Sequence, residues 1–311
     1  LLYRGMLDNS SGAASYLCAS ALGVSLAATA QVIVRVIRVY PTGALFRYDE
    51  LGNILEINRD LLQLSWGVAT IVGAVIVLGI PAALFLAHKE RFGPLYIAAA
   101  IVLLFGSAVI DTRSAIVAGA LFLIIGALTA CFCGKNKKPN RIFCASLLGL
   151  TLAAVAVGQL TAGDLGTLWN NIVEFLRFDI ISGNQRLLYW RDALNDFLRA
   201  PIFGVGFADG VVLEGITHTF SNPFSGMYHS VLLQFLAAAG VVGLAAFLWH
   251  CVEIARLLLR RKSASKLFIL SVPAMIIAMS LVDNFFFYLN FQIIYAAFLS
   301  LAQKESLENR N

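Results

Sequence analysis

The chain has 311 residues, of which 59% are hydrophobic and 13% charged, and its formal net charge is +5. Soluble domains carry roughly 25% charged residues, so this charge content and a mean hydropathy of +0.80 exclude an ordinary water-soluble enzyme. The basic excess is that of cytoplasmic loops in a membrane protein, and no nucleic-acid partner is expected.

Taken in chain order, the apolar runs 13–34, 61–87, 94–110, 114–132, 142–161, 231–255, 267–282 and 284–302 predict transmembrane helices. Lipid cannot satisfy open backbone groups, so the fold class expected is all-α, a polytopic transmembrane helical bundle. Five helices fall in 1–162, a long extracytoplasmic loop in 163–229, and three more helices with a cytoplasmic tail in 230–311. The chain opens Leu1-Leu2 without an initiator Met or a leader pattern, so further N-terminal sequence is expected.

Lysine sets the orientation. Lys89, Lys135, Lys137, Lys138, Lys262, Lys266 and Lys304 all fall in alternate connections, which marks that side as cytoplasmic. On the other side, residues 40–60 carry Arg47 and Arg59 against Asp49, Glu50, Glu56 and Asp60. Two tight turns there, Asp111-Thr112-Arg113 and Asp283-Asn284, follow the short runs 94–110 and 267–282, which predicts a recessed cavity opening outward. Cys18, Cys131, Cys133, Cys144 and Cys251 map to the inner halves of spans, so no disulfide framework is implied. Cys131-x-Cys133 with Cys144 lacks a clustered His and reads as packing, and no metal site is expected. Gly73, Ala74, Gly79, Ala118, Gly119 and Ala120 are suited to close helix approach. His88 and His250 lie on the cytoplasmic side, where anchoring at the interface is expected.

Within the long loop, Leu187, Trp190, Leu194, Phe197 and Leu198 recur at helical spacing, with Arg186, Arg191, Asp192, Asn195, Asp196 and Arg199 on the other face. This predicts an amphipathic helix over 184–200 lying on the membrane, with Asn184 as N-cap, Pro201 as stop, and Asp192 and Asp196 as solvated charges. Pro201-Ile202-Phe203-Gly204-Val205-Gly206-Phe207 then reads as a turn, either a simple reversal or a structured loop requiring Gly204 and Gly206.

His229 opens the sixth span, where the positive end of the helix dipole opposes a further positive charge and an uncharged imidazole can act as a base. The alternative is a cap or an interfacial anchor. His218 has the same chemistry in a looser setting and is the second candidate. Arg113 stands at a span mouth beside free helix N–H groups, an arrangement suited to a phosphate; a pair with Asp111 or snorkelling are the alternatives. Arg186 and Arg191 are further bidentate donors.

Three stretches carry a family likeness: Gly183-Asn184-Gln185-Arg186-Leu187-Leu188-Tyr189-Trp190-Arg191-Asp192-Ala193-Leu194, then Pro201-x-x-Gly204-x-Gly206, then Tyr228-His229-Ser230-x-Leu232-x-Gln234-x-Leu236-x-x-x-Gly240-x-x-Gly243-Leu244. With the turn Asp111-Thr112-Arg113-Ser114-Ala115, they resemble the O-antigen ligase and O-antigen polymerase superfamily. The resemblance implies a GT-C-like membrane glycosyltransferase of about a dozen helices in the bacterial cytoplasmic (inner) membrane. It implies transfer of a glycan from an undecaprenyl-pyrophosphate carrier to a glycan, lipid or protein acceptor on the outer face, with no cofactor and no metal. It also implies that Arg113 and Arg186 bind the pyrophosphate, with Arg191 the weaker candidate, and that His229 is the base. The chain departs from the family pattern in Ser230, where many relatives carry Asn, and His218 has no assigned place in it.

The residues agree with that chemistry. A departing dianionic group can be stabilised by two arginines and a helix N-terminus in place of a divalent ion, and direct attack on the sugar inverts the anomeric centre. No facing carboxylate pair suggests a glycosidase route. Polymerase and ligase are not separated. A transporter or flippase of lipid-linked sugars is the competing function, and a non-catalytic scaffold the third.

Overall fold

The structure, a computed structural model, describes residues 10–48, 54–110, 112–133, 136–162, 184–206, 228–260 and 263–308. Among these, helix dominates: α1 (Ser10–Val39), α2 (Ala69–Lys89), α3 (Gly93–Val109), α4 (Arg113–Phe132), α5 (Lys137–Ala162), α6 (Asn184–Arg199), α7 (Val231–Leu259), α8 (Ala264–Ser280) and α9 (Leu289–Glu308). Among the described residues four helical stretches, Gly12–Thr42, Ala69–Lys89, Arg113–Phe132 and Val231–Leu259, are long and apolar enough to cross a membrane, the last of them interrupted at Gly240. Gly93–Val109 and Ala264–Ser280 are apolar but shorter, at 17 residues each, about 25 Å of helix. The chain separates into two compact units, residues 1–140 with 250–311, and residues 141–249.

In the first unit α2 is apolar on every side and buried along most of its length, which makes it the core helix. Helices α1, α3, α4 and α8 pack on it. Small residues permit this: Gly79 faces Ser25 of α1, and a Cβ on Gly119 would stand 3.1 Å from Val77 and Ile80 of α2. Ser25 Oγ crosses the gap to donate to Val75 O at 2.7 Å.

Polar ties gather at the two ends. At the lysine-bearing end His88 donates from Nδ1 to Cys133 O at 3.2 Å and lies against Phe268. Asn136 and Asn140 each donate to Ala87 O at 3.3 Å, and Ser263, the N-cap of α8, donates to Glu305 Oε1 of α9 at 2.9 Å. His88 thus joins two helix ends. His250 likewise shares a 2.7 Å hydrogen bond with Tyr295 OH, tying α7 to α9. At the opposite end Arg35 Nε donates to Leu61 O at 2.9 Å and Trp66 Nε1 to Gln31 Oε1 at 3.1 Å.

Three local differences from the sequence expectations have physical causes. Residues 40–60 contain a short antiparallel pair, Phe46–Tyr48 with Ile54–Ile57, in register Phe46 opposite Ile57. The second apolar run starts as helix only at Ala69, because Arg59–Leu62 forms a 3-10 turn and Leu64 and Gly67 close a bridge on each other. The last run starts as helix only at Leu289, because Phe285–Phe287 forms a 3-10 turn after Ser280 Oγ accepts the Phe286 N–H.

The second unit holds the larger correction. The predicted span 231–255 is not one straight helix: Gly240 takes φ 64 and ψ −162, and α7 breaks there. Twelve residues of straight helix span about 18 Å. Phe235 and Phe247 nevertheless stack with ring centroids 4.7 Å apart, so the chain turns back on itself at the break.

The segment 201–206 fills this break. In an unbroken helix the N–H groups of residues 241 and 242 would donate to the carbonyls of 237 and 238. Instead Val241 N–H donates to Pro201 O at 2.9 Å and Val242 N–H to Ile202 O at 3.3 Å. Ala237 O and Ala238 O accept from Val205 and Gly206 N–H, both at 2.9 Å. Two helical bonds are exchanged for four bonds to the turn, so these four backbone groups of α7 all keep partners. Gly204, at φ 71, lies so close that a Cβ would fall on the Ala238 carbonyl, and one on Gly240 would fall on the Ile202 carbonyl. The Pro-x-x-Gly-x-Gly turn is therefore no simple reversal.

Candidate functional site

His229 sits immediately before the short leading half of α7, residues 231–239, rather than at the mouth of a long straight span. Its backbone has φ 51, the one described non-glycine residue in the left-handed region. That conformation costs on the order of 1–3 kcal/mol and persists only where surrounding bonds over-determine it. Those bonds are present on both sides. The Tyr228 N–H donates to Gln234 Oε1 at 3.1 Å, and the Gln234 N–H donates to Ser230 O at 2.8 Å, the first hydrogen bond of the helix. Ser230 and Gln234 are buried.

Helix α6 supplies the other wall. Tyr189 places its ring 5.3 Å from the His229 ring, tilted by 42°. Asp196 Oδ2 accepts the Tyr228 hydroxyl at 2.5 Å, and Arg199 Nη1 donates to Asp196 Oδ1 at 3.3 Å. Burial first, then the hydrogen bond to Asp196 and the charges of Asp196 and Asp192, push the Tyr228 phenol well above its ordinary range, with Arg199 acting in the other direction. The hydroxyl accordingly remains a donor.

The leucine face of α6 stays open, as a helix lying on a membrane requires, and the helix packs through another side. Ala193 is its buried centre, while Leu187, Leu194 and Leu198 are 47%, 47% and 72% exposed. Where the surroundings are lipid, apolar side chains need not turn inward, and hydropathy alone does not say which face packs. Asp196, expected to be solvated, instead joins the packed side through Tyr228. Arg191 is exposed, on the outward side with Leu187 and Leu194. Arg186 is helical in backbone and stands seven residues before Ala193, a spacing that puts the two on one side of α6.

Arg113 stands in the first unit as the opening residue of α4. Thr112 precedes it as N-cap, a residue type that normally accepts a hydrogen bond from the first turn. Here its hydroxyl donates to Ala69 O at 3.3 Å and caps nothing. Gly73 leaves the space that Thr112 occupies, since a Cβ there would fall on the threonine side chain. The start of α4 is thus pinned to α2 while its first-turn N–H groups receive no cap from that side chain. Asp283 and Asn284 are buried at this same end, with the Asn284 N–H donating to Asp283 Oδ1 at 2.8 Å.

The structure brings His229, Tyr189, Tyr228, Asp196 and Gln234 together, and Gly204 and Gly206 brace the helix break behind them. His218, Asp111 and the remainder of the loop at 163–183 and 207–227 lie outside the described residues. Among the described residues no three His, Cys, Asp or Glu side chains form a group able to hold a metal ion, and Cys131 is buried while Cys133 is exposed. Sequence reasoning gave Tyr189 and Tyr228 no role of their own and read Asp196 as a solvated charge. The available signal was Ala193, a small residue flanked at helical spacing by Tyr189 and Asp196, which marks close approach better than the leucines do.

Residues 98–248 match a family model described as O-antigen ligase, a stretch that includes Arg113, Arg186, Arg191, Gly204, Gly206 and His229. No curated protein matches the chain.

Proposed function

From the match of residues 98–248 to the O-antigen ligase family model we propose that the protein is a membrane enzyme of that type. The protein transfers a glycan from a polyprenyl-pyrophosphate carrier, undecaprenyl in chemistry, to an acceptor hydroxyl at the outer face of the bacterial cytoplasmic membrane. His229 takes the acceptor hydroxyl proton as that oxygen attacks the anomeric carbon. The bond from the anomeric carbon to the phosphate oxygen breaks, the carrier pyrophosphate leaves, and the configuration inverts. Arg113, at the start of α4, and Arg186 stabilise the departing charge without a divalent ion. Arg191 is a lesser contributor, in keeping with its exposure.

The observation that carries this reading is His229 itself, a non-glycine residue in left-handed backbone held against Tyr189 within the family stretch. Such strain is characteristic of functional sites. The exposed leucines of α6 support its lying at the lipid interface, with the lysine-bearing end of the bundle in the cytoplasm. Transport of the same lipid-linked sugar would not require a positioned base.

The test is release of polyprenyl pyrophosphate from a lipid-linked glycan by the purified protein in liposomes, with a chelator present. The expected result is chelator-insensitive release that His229→Gln lowers by about 10² to 10⁴ and His218→Gln largely preserves. Turnover by His229→Gln at the wild-type rate would overturn the assignment of the base, and movement of the intact lipid without release would establish transport instead.

A further inference from the structure

The leading half of α7 could hold His229 by its own turn alone, yet α6 reaches across to the residue before it. Tyr228 is fixed at two points: its N–H by Gln234 Oε1 at 3.1 Å, and its hydroxyl by Asp196 Oδ2 at 2.5 Å. Two residues of the same helix, seven apart and so on one face, thus act on consecutive residues of the turn: Tyr189 on the His229 ring, and Asp196 on Tyr228. Backbone at φ 51 is not a resting conformation for histidine, and a turn held only by Gln234 and Ser230 could relax toward an ordinary helical or extended angle.

We propose that Asp196 and Tyr228 form a positioning pair, in which the Asp196 carboxylate on α6 holds the Tyr228 hydroxyl and thereby fixes the direction in which the imidazole of His229 faces the acceptor. This rests on His229 being the base, and it gives α6 a second task beside carrying Arg186. Asp196 does not itself take the acceptor proton; its oxygen is occupied by the phenol, which burial and the neighbouring carboxylates keep protonated. Arg199, bonded to the other oxygen, keeps the carboxylate turned toward Tyr228.

A misplaced base costs rate rather than affinity. In the liposome release assay Tyr228→Phe and Asp196→Ala are each expected to lower kcat by about 10- to 100-fold, with the KM for the lipid-linked donor within about twofold of wild type. The double variant should be no slower than either single one, because both remove the same contact. Asp196→Asn should recover activity to within about threefold of wild type, since an amide oxygen still accepts the phenol proton. Melting temperatures in detergent should agree among these variants. Wild-type kcat in Tyr228→Phe, alongside inactive His229→Gln, would overturn the pair while leaving the base in place. Asp196→Asn as slow as Asp196→Ala would overturn it too, by making the carboxylate charge the active feature. A loss of kcat that follows the melting temperature across the series would reduce the contact to a structural one. Full turnover by His229→Gln would remove the base reading and this pair with it.

Discussion

Two helices of this protein begin at candidate residues, and they begin in opposite ways. Helix α4 starts at Arg113 with ordinary backbone, pinned through a side chain: the Thr112 hydroxyl on Ala69 O, in the space left by Gly73. The leading half of α7 starts after His229 with left-handed backbone, and is held by Tyr228, Gln234, and the exchange of backbone bonds between Gly240 and the turn 201–206. The difference follows the chemistry proposed for each. An anion is bound by a field of N–H groups and a guanidinium, which tolerate displacement, so a regular helix end suffices. A base must meet one proton at one distance, and only an over-determined backbone holds an imidazole to that tolerance.

The largest effect that separates these two modes lies at the break in α7. Gly240→Val combines a φ of 64 with a side chain falling on the Ile202 carbonyl, and Gly204→Ala combines a φ of 71 with a Cβ falling on Ala238. Gly43 has the same φ of 71 with nothing within 4 Å of its missing Cβ, so Gly43→Ala isolates the backbone cost. Thermal unfolding in detergent should show about 1–2 kcal/mol for Gly43→Ala and about 4 kcal/mol or more for the other two. Equal effects at all three would mean that the turn does not bear on the break.

Next in size is the arginine comparison. Arg113→Ala and Arg186→Ala should each lower carrier release by about 10²- to 10³-fold at unchanged melting temperature. Arg191→Ala, at an exposed position beside Leu187 and Leu194, should cost less than about tenfold. An inactive Arg191→Ala with an active Arg186→Ala would exchange their roles and turn the outward face of α6 toward the donor.

The sequence made the helices legible because lipid leaves the backbone few choices: a helix overlaps each predicted run, with 61–68 and 284–288 left outside α-helix, and the helix predicted over 184–200 forms as Asn184–Arg199. It did not disclose the break at Gly240. A glycine in an apolar run more often marks close packing, and the partner that makes a break affordable, the turn 201–206, lies some thirty-five residues away in the chain. His229 was legible as a residue at a helix start, but its φ of 51 was not, since only the bonds of Tyr228 and Gln234 sustain it. On α6 the sequence showed the leucine face, which stays open as it does in a helix lying on lipid, but not the opposite face, where Ala193 packs and Asp196 meets Tyr228. The use of Thr112, whose hydroxyl goes to Ala69 O of α2, was likewise not legible in the sequence.

The smallest effect is at Thr112, and it discriminates most finely between a helix start used for binding and one used only for packing. Thr112→Val keeps the volume that fills the space over Gly73 but removes the hydroxyl bonded to Ala69 O, which as a carbonyl in the first turn of α2 keeps its place in that helix. The stability cost should be about 1 kcal/mol, against about 1–3 kcal/mol for Gly73→Ala, which forces α4 away from α2. If the N–H groups at the start of α4 receive the carrier pyrophosphate, both changes act on them through position alone. Gly73→Ala, which displaces the helix start, should then raise the KM for the donor several-fold, whereas Thr112→Val, which leaves it seated, should not. A Thr112→Val variant that loses donor affinity while Gly73→Ala keeps it would move the anion away from the helix end and onto the threonine hydroxyl.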